Sequence, residues 1–250
     1  MGAVSIELNS VWLEYPIYGH RSLKNALLRF AMNGRRPDGD VTCVGALKDI
    51  NLRFDDGDRV GLIGGNGAGK TTMLRVLAGA MSPTRGNVQR IGFTSTLFDV
   101  YLGMNGEATG WDNVMLRGLF LGLTPDEIRA RTEDIVAFSG LTHDQLDRPM
   151  RTFSSGMMLR LAFSVATCVS PEILLMDEWI WVSDASFIER AQKRMTEMVD
   201  RAKILVIATH ADYLIQQLCN KAVLLSEGEV RGVGPVDEIL SIYHGKNGAG

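Results

Sequence analysis

RVGLIGGNGAGKTT, residues 59–72, decides the fold. Its first part, Arg59–Ile63, is a short apolar run of strand length. Residues 72–78 after it carry a helical pattern. Between them Gly64-Gly65-Asn66-Gly67-Ala68-Gly69-Lys70-Thr71 fits G-x-x-x-x-G-K-[ST] in the strand-then-helix context that gives the spacing its meaning. Glycines let backbone N–H groups converge on phosphates, and the helix adds its positive end. Lys70 can reach the terminal phosphates, Thr71 offers a hydroxyl to Mg²⁺, and Thr72 continues the first helical turn. A glycine-rich turn with a chance lysine would lack these flanking elements. Nucleotide binding by a parallel α/β core is therefore the first expectation.

Downstream, residues 173–178 (ILLMDE) form an apolar run ending in two carboxylates. In a parallel sheet that end faces the ligand crevice, so Asp177 is placed to hold Mg²⁺ and Glu178 to polarise an attacking water. A second unbroken apolar run, Ile204–Ala208, ends at Thr209-His210 and brings a histidine to the same edge. The helical stretch 186–201 between the runs completes a βαβ pattern. Residues 151–157 (RTFSSGM) open another helix, where Ser154, Ser155 and Gly156 offer hydroxyls and open N–H groups to an anion. A strand at 222–225, a turn at Glu227-Gly228-Glu229 and a helix at 236–243 close the pattern.

Upstream, residues 4–12 alternate partly and read as a half-exposed strand, and residues 45–54 as another. Residues 22–30 carry a helical apolar face, either packed on the core or docking a partner, and 33–40 are dense in turn formers. Residues 111–141 read as a helical insertion, with Thr124 as N-cap, Pro125 at the first helical position and acidic residues in the first turn.

Across 250 residues, 46% are hydrophobic and 22% charged, which suits one globular unit. The formal net charge of −3 leaves no broad basic field, so nucleic acid is not an expected partner. Three widely spaced cysteines, Cys43, Cys168 and Cys219, fit neither a disulfide framework nor a zinc site. No apolar run reaches the roughly 18 to 20 residues of a spanning helix, and residues 1–30 lack a signal-peptide pattern. Any work at a membrane would need another chain as anchor.

The ordered set GGNGAGKT, FSSGM, ILLMDE and ATH, spanning most of the chain, resembles the ATPase subunits of ABC transporters. The resemblance implies a RecA-like P-loop core at 59–98 and 172–230, an antiparallel β-subdomain at 1–58 holding the helix at 22–30, a helical subdomain at 99–171, and a C-terminal helix and tail at 231–250. It implies that Ser154, Ser155 and Gly156 contact the ATP held by a second copy, in a head-to-tail dimer. It likewise implies that Asp184 links the two sites and that His210 positions the γ-phosphate. Lys70, Glu178 and His210 are then the catalytic set, with Thr71 and Asp177 on Mg²⁺.

The sequence also departs from the family pattern. The usual LSGGQ stands as Phe153-Ser154-Ser155-Gly156-Met157, and the glutamine expected after the P-loop helix is missing from 91–101, where Asp99 is the substitute metal ligand or partner contact. An aromatic ring should stack on adenine upstream of the P-loop, from among Tyr15, Tyr18 and Phe54, with Tyr15 or Tyr18 favoured.

Within the family, residues 151–178, TGWDN at 109–113 and the 15–30 insertion resemble exporters of O-antigen, teichoic acid and capsule. The likeness implies export of a cell-surface polysaccharide or lipid-linked glycan through a separate transmembrane permease that handles the glycan. The chain would then sit at the cytoplasmic face of a bacterial inner membrane, without the carbohydrate-binding domain some relatives add. Residues 99–110, with Phe98, Tyr101 and Met104, would line the permease groove. A mechanical ATPase outside transport and a nucleotide-gated scaffold with weak hydrolysis are the competing readings.

Overall fold

The computed structural model describes residues 3–17, 42–97, 100–178 and 185–247. The helix expected at 22–30, the loop at 33–40, and Tyr18, Phe98, Asp99 and Asp184 lie outside them. The described chain forms two sheets and a helical region. A three-stranded antiparallel sheet has the order β2-β1-β4, from β1 (Ser5–Ile17), β2 (Thr42–Asp55) and β4 (Arg85–Ile91). A six-stranded sheet has the order β5-β6-β7-β3-β8-β9. Its strands are β3 (Arg59–Ile63), β5 (Thr94–Thr96), β6 (Ile173–Asp177), β7 (Ile204–Ala208), β8 (Lys221–Ser226) and β9 (Glu229–Gly234). All its pairings are parallel except β8–β9.

The partial alternation of the first strand has a structural cause. Ile6 and Leu8 are buried at even positions, Val11 and Leu13 at odd ones. Between them the β1–β2 register shifts and Ser10 takes a left-handed φ of 45°. One inserted residue, a β-bulge, returns the apolar side chains to the same face. Asn51 holds the bulge, its Oδ1 accepting from the Ser10 N–H at 2.8 Å.

The central parallel strands are covered on both sides. Ile173 and Leu175 of β6, with Ile204, Val206 and Ala208 of β7, pack into one cluster with Ile6, Leu47 and Phe54 of the antiparallel sheet. That cluster includes Leu74 and Leu77 of α1 (Lys70–Leu77). The alternate residues Leu174, Met176, Leu205 and Ile207 join Phe138, Phe163 and Phe187 on the other side. Two-sided burial explains why β6 and β7 read as unbroken apolar runs. The connection between them is α6 (Ala185–Arg201), close to the helix read at 186–201.

The helical region consists of α2 (Gly110–Phe120), α3 (Pro125–Ser139), the short α4 (His143–Leu146) and α5 (Ser155–Ala166). Thr124 caps α3 as the sequence indicates, and Glu127 closes a reciprocal capping box. Matching boxes start α2, through Thr109 and Asp112, and α4, through Thr142 and Gln145. The last two helices are α7 (Asp212–Leu218) and α8 (Val236–Asn247).

Two strands cross the subdomain boundaries read from the sequence. Residues 85–91 fall inside the 59–98 span assigned to the core, but β4 pairs with β1 and belongs to the antiparallel sheet. Six of its seven residues are exposed, so it carries no two-residue apolar period to betray it. In addition, β9 continues the six-stranded sheet to Gly234, past the boundary drawn at 230.

Thr124→Ala removes the cap hydroxyl that accepts from the Glu127 N–H and donates to the Glu127 carboxylate. It should lower unfolding stability by about 1 kcal/mol, read as a shifted denaturant midpoint at unchanged slope.

Candidate functional site

A cleft of about 570 Å³ opens at the C-terminal ends of β3, β6 and β7. Gly65, Asn66, Gly67, Ala68, Gly69, Lys70, Thr71 and Thr72 form one wall; Asp177, Glu178 and His210 form another. Val44, Gly45 and Ala46 of β2 close the third side. Of the nine loop residues expected at the site, only Gly64 is not on the surface of the cleft.

Gly64 has a different task, because it sets the loop's backbone path. Its φ is 155°, and a Cβ there would sit 2.3 Å from the Leu225 carbonyl oxygen. Gly69 has a φ of 106° and would meet the Ala46 carbonyl oxygen at 2.9 Å. Both positions exclude a side chain by close backbone approach as well as by φ. Gly69 is also the N-cap of α1 and brings no capping side chain, so the helix start is left open to an anion.

The loop is buttressed from behind by a turn. The Gly228 N–H donates to the Ala68 carbonyl at 3.1 Å, and the Lys48 N–H donates to the Gly228 carbonyl at 2.8 Å. Glu227 and Gly228, with φ of 51° and 79°, allow the tight return from β8 to β9. The sequence marks this as a turn between strands but carries no sign that it supports the loop.

Lys70 is folded onto its own loop, its Nζ donating to the Gly64 carbonyl at 2.6 Å and the Gly65 carbonyl at 3.2 Å. Burial pushes its pKa below the usual lysine value, while Asp177 and Glu178 pull it back up. Both effects follow from placing one ammonium between a glycine loop and two carboxylates.

Asp177 lies opposite Ala208 in the β6–β7 register. At Glu178 the backbone turns left-handed, with φ 66°, while its N–H still donates to the Ala208 carbonyl at 2.7 Å. That conformation costs on the order of 1–2 kcal/mol for a residue with a Cβ. It turns the carboxylate toward the end of β7, where Oε2 accepts from the Thr209 hydroxyl at 2.8 Å and Oε1 from the His210 N–H at 3.1 Å. A carboxylate held at two points and facing a cleft is equipped to accept a proton from water.

The other expected site residues are elsewhere. Ser154 is the N-cap of α5, its Oγ accepting from the Met157 N–H at 3.2 Å. It is exposed, as is Ser155, and a Cβ at Gly156 would meet open space. None of the three lines the cleft of its own chain. Tyr15 does not line it either. It pairs with Val44 across the β1–β2 ladder, and its hydroxyl donates to the Met81 sulfur at 3.1 Å. Phe54 is fully buried in the core and cannot stack on a ligand. The sequence reading missed Val44, Gly45 and Ala46, which carry no side-chain chemistry and enter the wall through strand placement alone.

Fold and site together define a P-loop nucleotide-binding protein of the cassette type. Solved structures agree on the fold. The ATP-binding cassette MJ0796 bound to ADP and Pi matches with a TM-score of 0.65 at 21% identity, covering 92% of this chain and 98% of that one. An ATP-binding subunit of an ABC transporter matches at 0.66 and 22%, covering 96% and 93%. The family model described as ABC transporter matches residues 47–180. The chain belongs to the ABC transporter family.

Among curated relatives, the O-antigen export system ATP-binding protein RfbE of Yersinia enterocolitica is 41% identical over 90% of this chain and 95% of its own length. The teichoic acids export ATP-binding protein TagH of Staphylococcus haemolyticus is 30% identical over 96% and 88%. RfbB of Myxococcus xanthus, also an O-antigen export system ATP-binding protein, is 38% identical over 90% of this chain, which spans only 51% of that relative.

Gly64→Ala should destabilise the fold by roughly 1–3 kcal/mol and abolish nucleotide binding, because a methyl cannot share the space of the Leu225 carbonyl. Thermal melting with and without ATP reads both effects: a lower Tm and no ligand-induced rise.

Proposed function

We propose that the chain is the ATP-hydrolysing subunit of an exporter of cell-surface polysaccharide or lipid-linked glycan, working through a separate transmembrane permease. The observation that carries the reading is the convergence of Lys70, Asp177, Glu178 and His210 on one cleft beside an uncapped helix start. The glycan assignment draws on relatives named for O-antigen and teichoic acid export.

The residues divide the work as follows. The glycine loop and α1 bind the phosphates, and the Lys70 ammonium exchanges its two carbonyl partners for phosphate oxygens. Thr71 and Asp177, both hard oxygen donors on the cleft surface, are the residues that would hold Mg²⁺. Mg²⁺ neutralises charge on the phosphate oxygens when bound. Glu178 takes a proton from water as the water oxygen bonds to the γ-phosphorus and the bond to the ADP oxygen breaks, giving ADP and inorganic phosphate. His210, exposed at the cleft rim, donates to the γ-phosphate.

Ser154, Ser155 and Gly156 complete the cleft of a second copy. The exposure of Ser154 and Ser155, and the absence of all three residues from the cleft of their own chain, support this. Tyr15, one strand in from the cleft wall at Val44, and Tyr18 remain the proposed adenine contacts, and Asp99 an additional metal ligand.

The permease docks on the helical region. Tyr101, Leu102, Leu116, Leu119 and Phe120 are exposed apolar side chains there. Buried Asn113 and Arg117 of α2 hold the adjoining loop. The Asn113 amide donates to the Asn105 and Thr109 carbonyls at 2.9 and 2.8 Å, and Arg117 donates to the Leu102 carbonyl. The likeness to export ATP-binding proteins supports assigning the chain to the cytoplasmic face of a bacterial inner membrane as a peripheral subunit; no helix among the described residues is long and apolar enough to cross a membrane.

Tagged chain drawn from mild-detergent membrane extract should bring down a multi-spanning protein that changes its ATPase rate, and Tyr101→Ala with Phe120→Ala should weaken that response. Glu178→Gln should lower turnover by about 10²-fold or more while ATP still binds. A soluble partner in place of the membrane protein, or full turnover without Glu178, would contradict the assignment.

A further inference from the structure

Thr209 stands at a junction the strand pattern does not advertise. It follows the fully apolar β7, is 4% exposed, and is one of few buried polar residues among those described. Its hydroxyl makes two contacts of opposite sense. The Ala211 N–H can only donate, so at 3.1 Å it occupies a lone pair of Oγ1. The hydroxyl proton is thereby left for Glu178 Oε2, 2.8 Å away. The chain Ala211 N–H, Thr209 O–H, Glu178 carboxylate has its direction fixed throughout.

Glu178 needs such a restraint. Its left-handed backbone is one that local sterics oppose, and the residue lines the cleft. The His210 N–H holds Oε1 at 3.1 Å. One donor would leave the carboxylate free to swing about that contact; two donors on different oxygens fix its plane. Reaction geometry is sensitive to this, because an error of about 1 Å can cost on the order of 10²-fold in rate.

We infer that Thr209 is a positioning residue for ATP hydrolysis: its hydroxyl, oriented by the Ala211 N–H, sets the plane of the Glu178 carboxylate that faces the cleft. The inference rests on the hydrolytic reading of the cleft. It assigns Thr209 no contact with nucleotide, since Thr209 is not on the cleft surface. The effect therefore belongs in kcat and not in KM.

The test is steady-state ATPase kinetics on purified wild type, Thr209→Val, Thr209→Ser, Glu178→Gln and the double variant Thr209→Val/Glu178→Gln, with Tm measured alongside. Val keeps the buried shape and removes the hydroxyl, and Ser keeps the hydroxyl. Thr209→Val should lower kcat about tenfold or more with KM for ATP within about twofold, and Thr209→Ser should recover most of the rate. On the Glu178→Gln background the Val change should cost nothing further, because the carboxylate it positions is gone. If Val does not fold, Thr209→Ala is read in the same way. Wild-type kcat in the Val variant, a loss confined to KM, or an equal loss on both backgrounds would overturn the inference. A wild-type chain with no hydrolysis would instead overturn the functional reading beneath it.

Discussion

The register of three adjacent parallel strands is the constraint on which the rest depends. Leu62 of β3 and Asp177 of β6 both lie opposite Ala208 of the intervening β7, so β6 and β7 end level and β3 runs one residue further, to Ile63. The glycine loop, Glu178 and Thr209-His210 follow these strand ends. Packing holds this alignment, because alternate residues of β6 and β7 are claimed by different cores on the two sheet faces. A slip of one residue in β6 would exchange the faces of Ile173, Leu174, Leu175 and Met176, and move both carboxylates along the edge. The core and the site are thus specified by the same residues.

On that edge the polar groups restrain one another. Lys70 satisfies its ammonium on loop carbonyls, and Glu178 offsets a left-handed backbone with one backbone bond and two bonds to its carboxylate. The cleft has an uncapped helix start on one side and a doubly held Glu178 on the other. The hydroxyls of Ser154 and Ser155 stand apart, being exposed on the helical region at the start of α5. With Ser154–Gly156 away from the cleft of their own chain, the proposed reading has the chain closing against a copy of itself.

Legibility followed the physics of each segment. Buried strands announce themselves, so Arg59–Ile63 and Ile204–Ala208 match the structure residue for residue. The Thr124–Pro125 start did so as well, because caps are local chemistry. Strand β4 was invisible, being nearly all exposed and held by backbone bonds to β1. In the site, the loop spacing pointed to Lys70 and Thr71 and the apolar strand ends to Asp177, Glu178 and His210, all on the cleft surface, whereas Val44–Ala46, the Gly228 buttress and the Thr209 bond arise from tertiary approach. Tyr15 shows why a strand residue's distance from the site is not legible in the sequence: it lies on β1, paired with Val44 of the cleft wall on β2.

The central claim is that ATP joins two copies through clefts each finished by the other's Ser154–Gly156 loop. The direct measurement is the solution mass of the Glu178→Gln chain by light scattering after gel filtration, with Mg-ATP, with Mg-ADP and with neither. The account predicts a doubled mass with Mg-ATP alone, lost again when Ser154 and Gly156 are replaced. A chain that binds Mg-ATP and stays at monomer mass would contradict it.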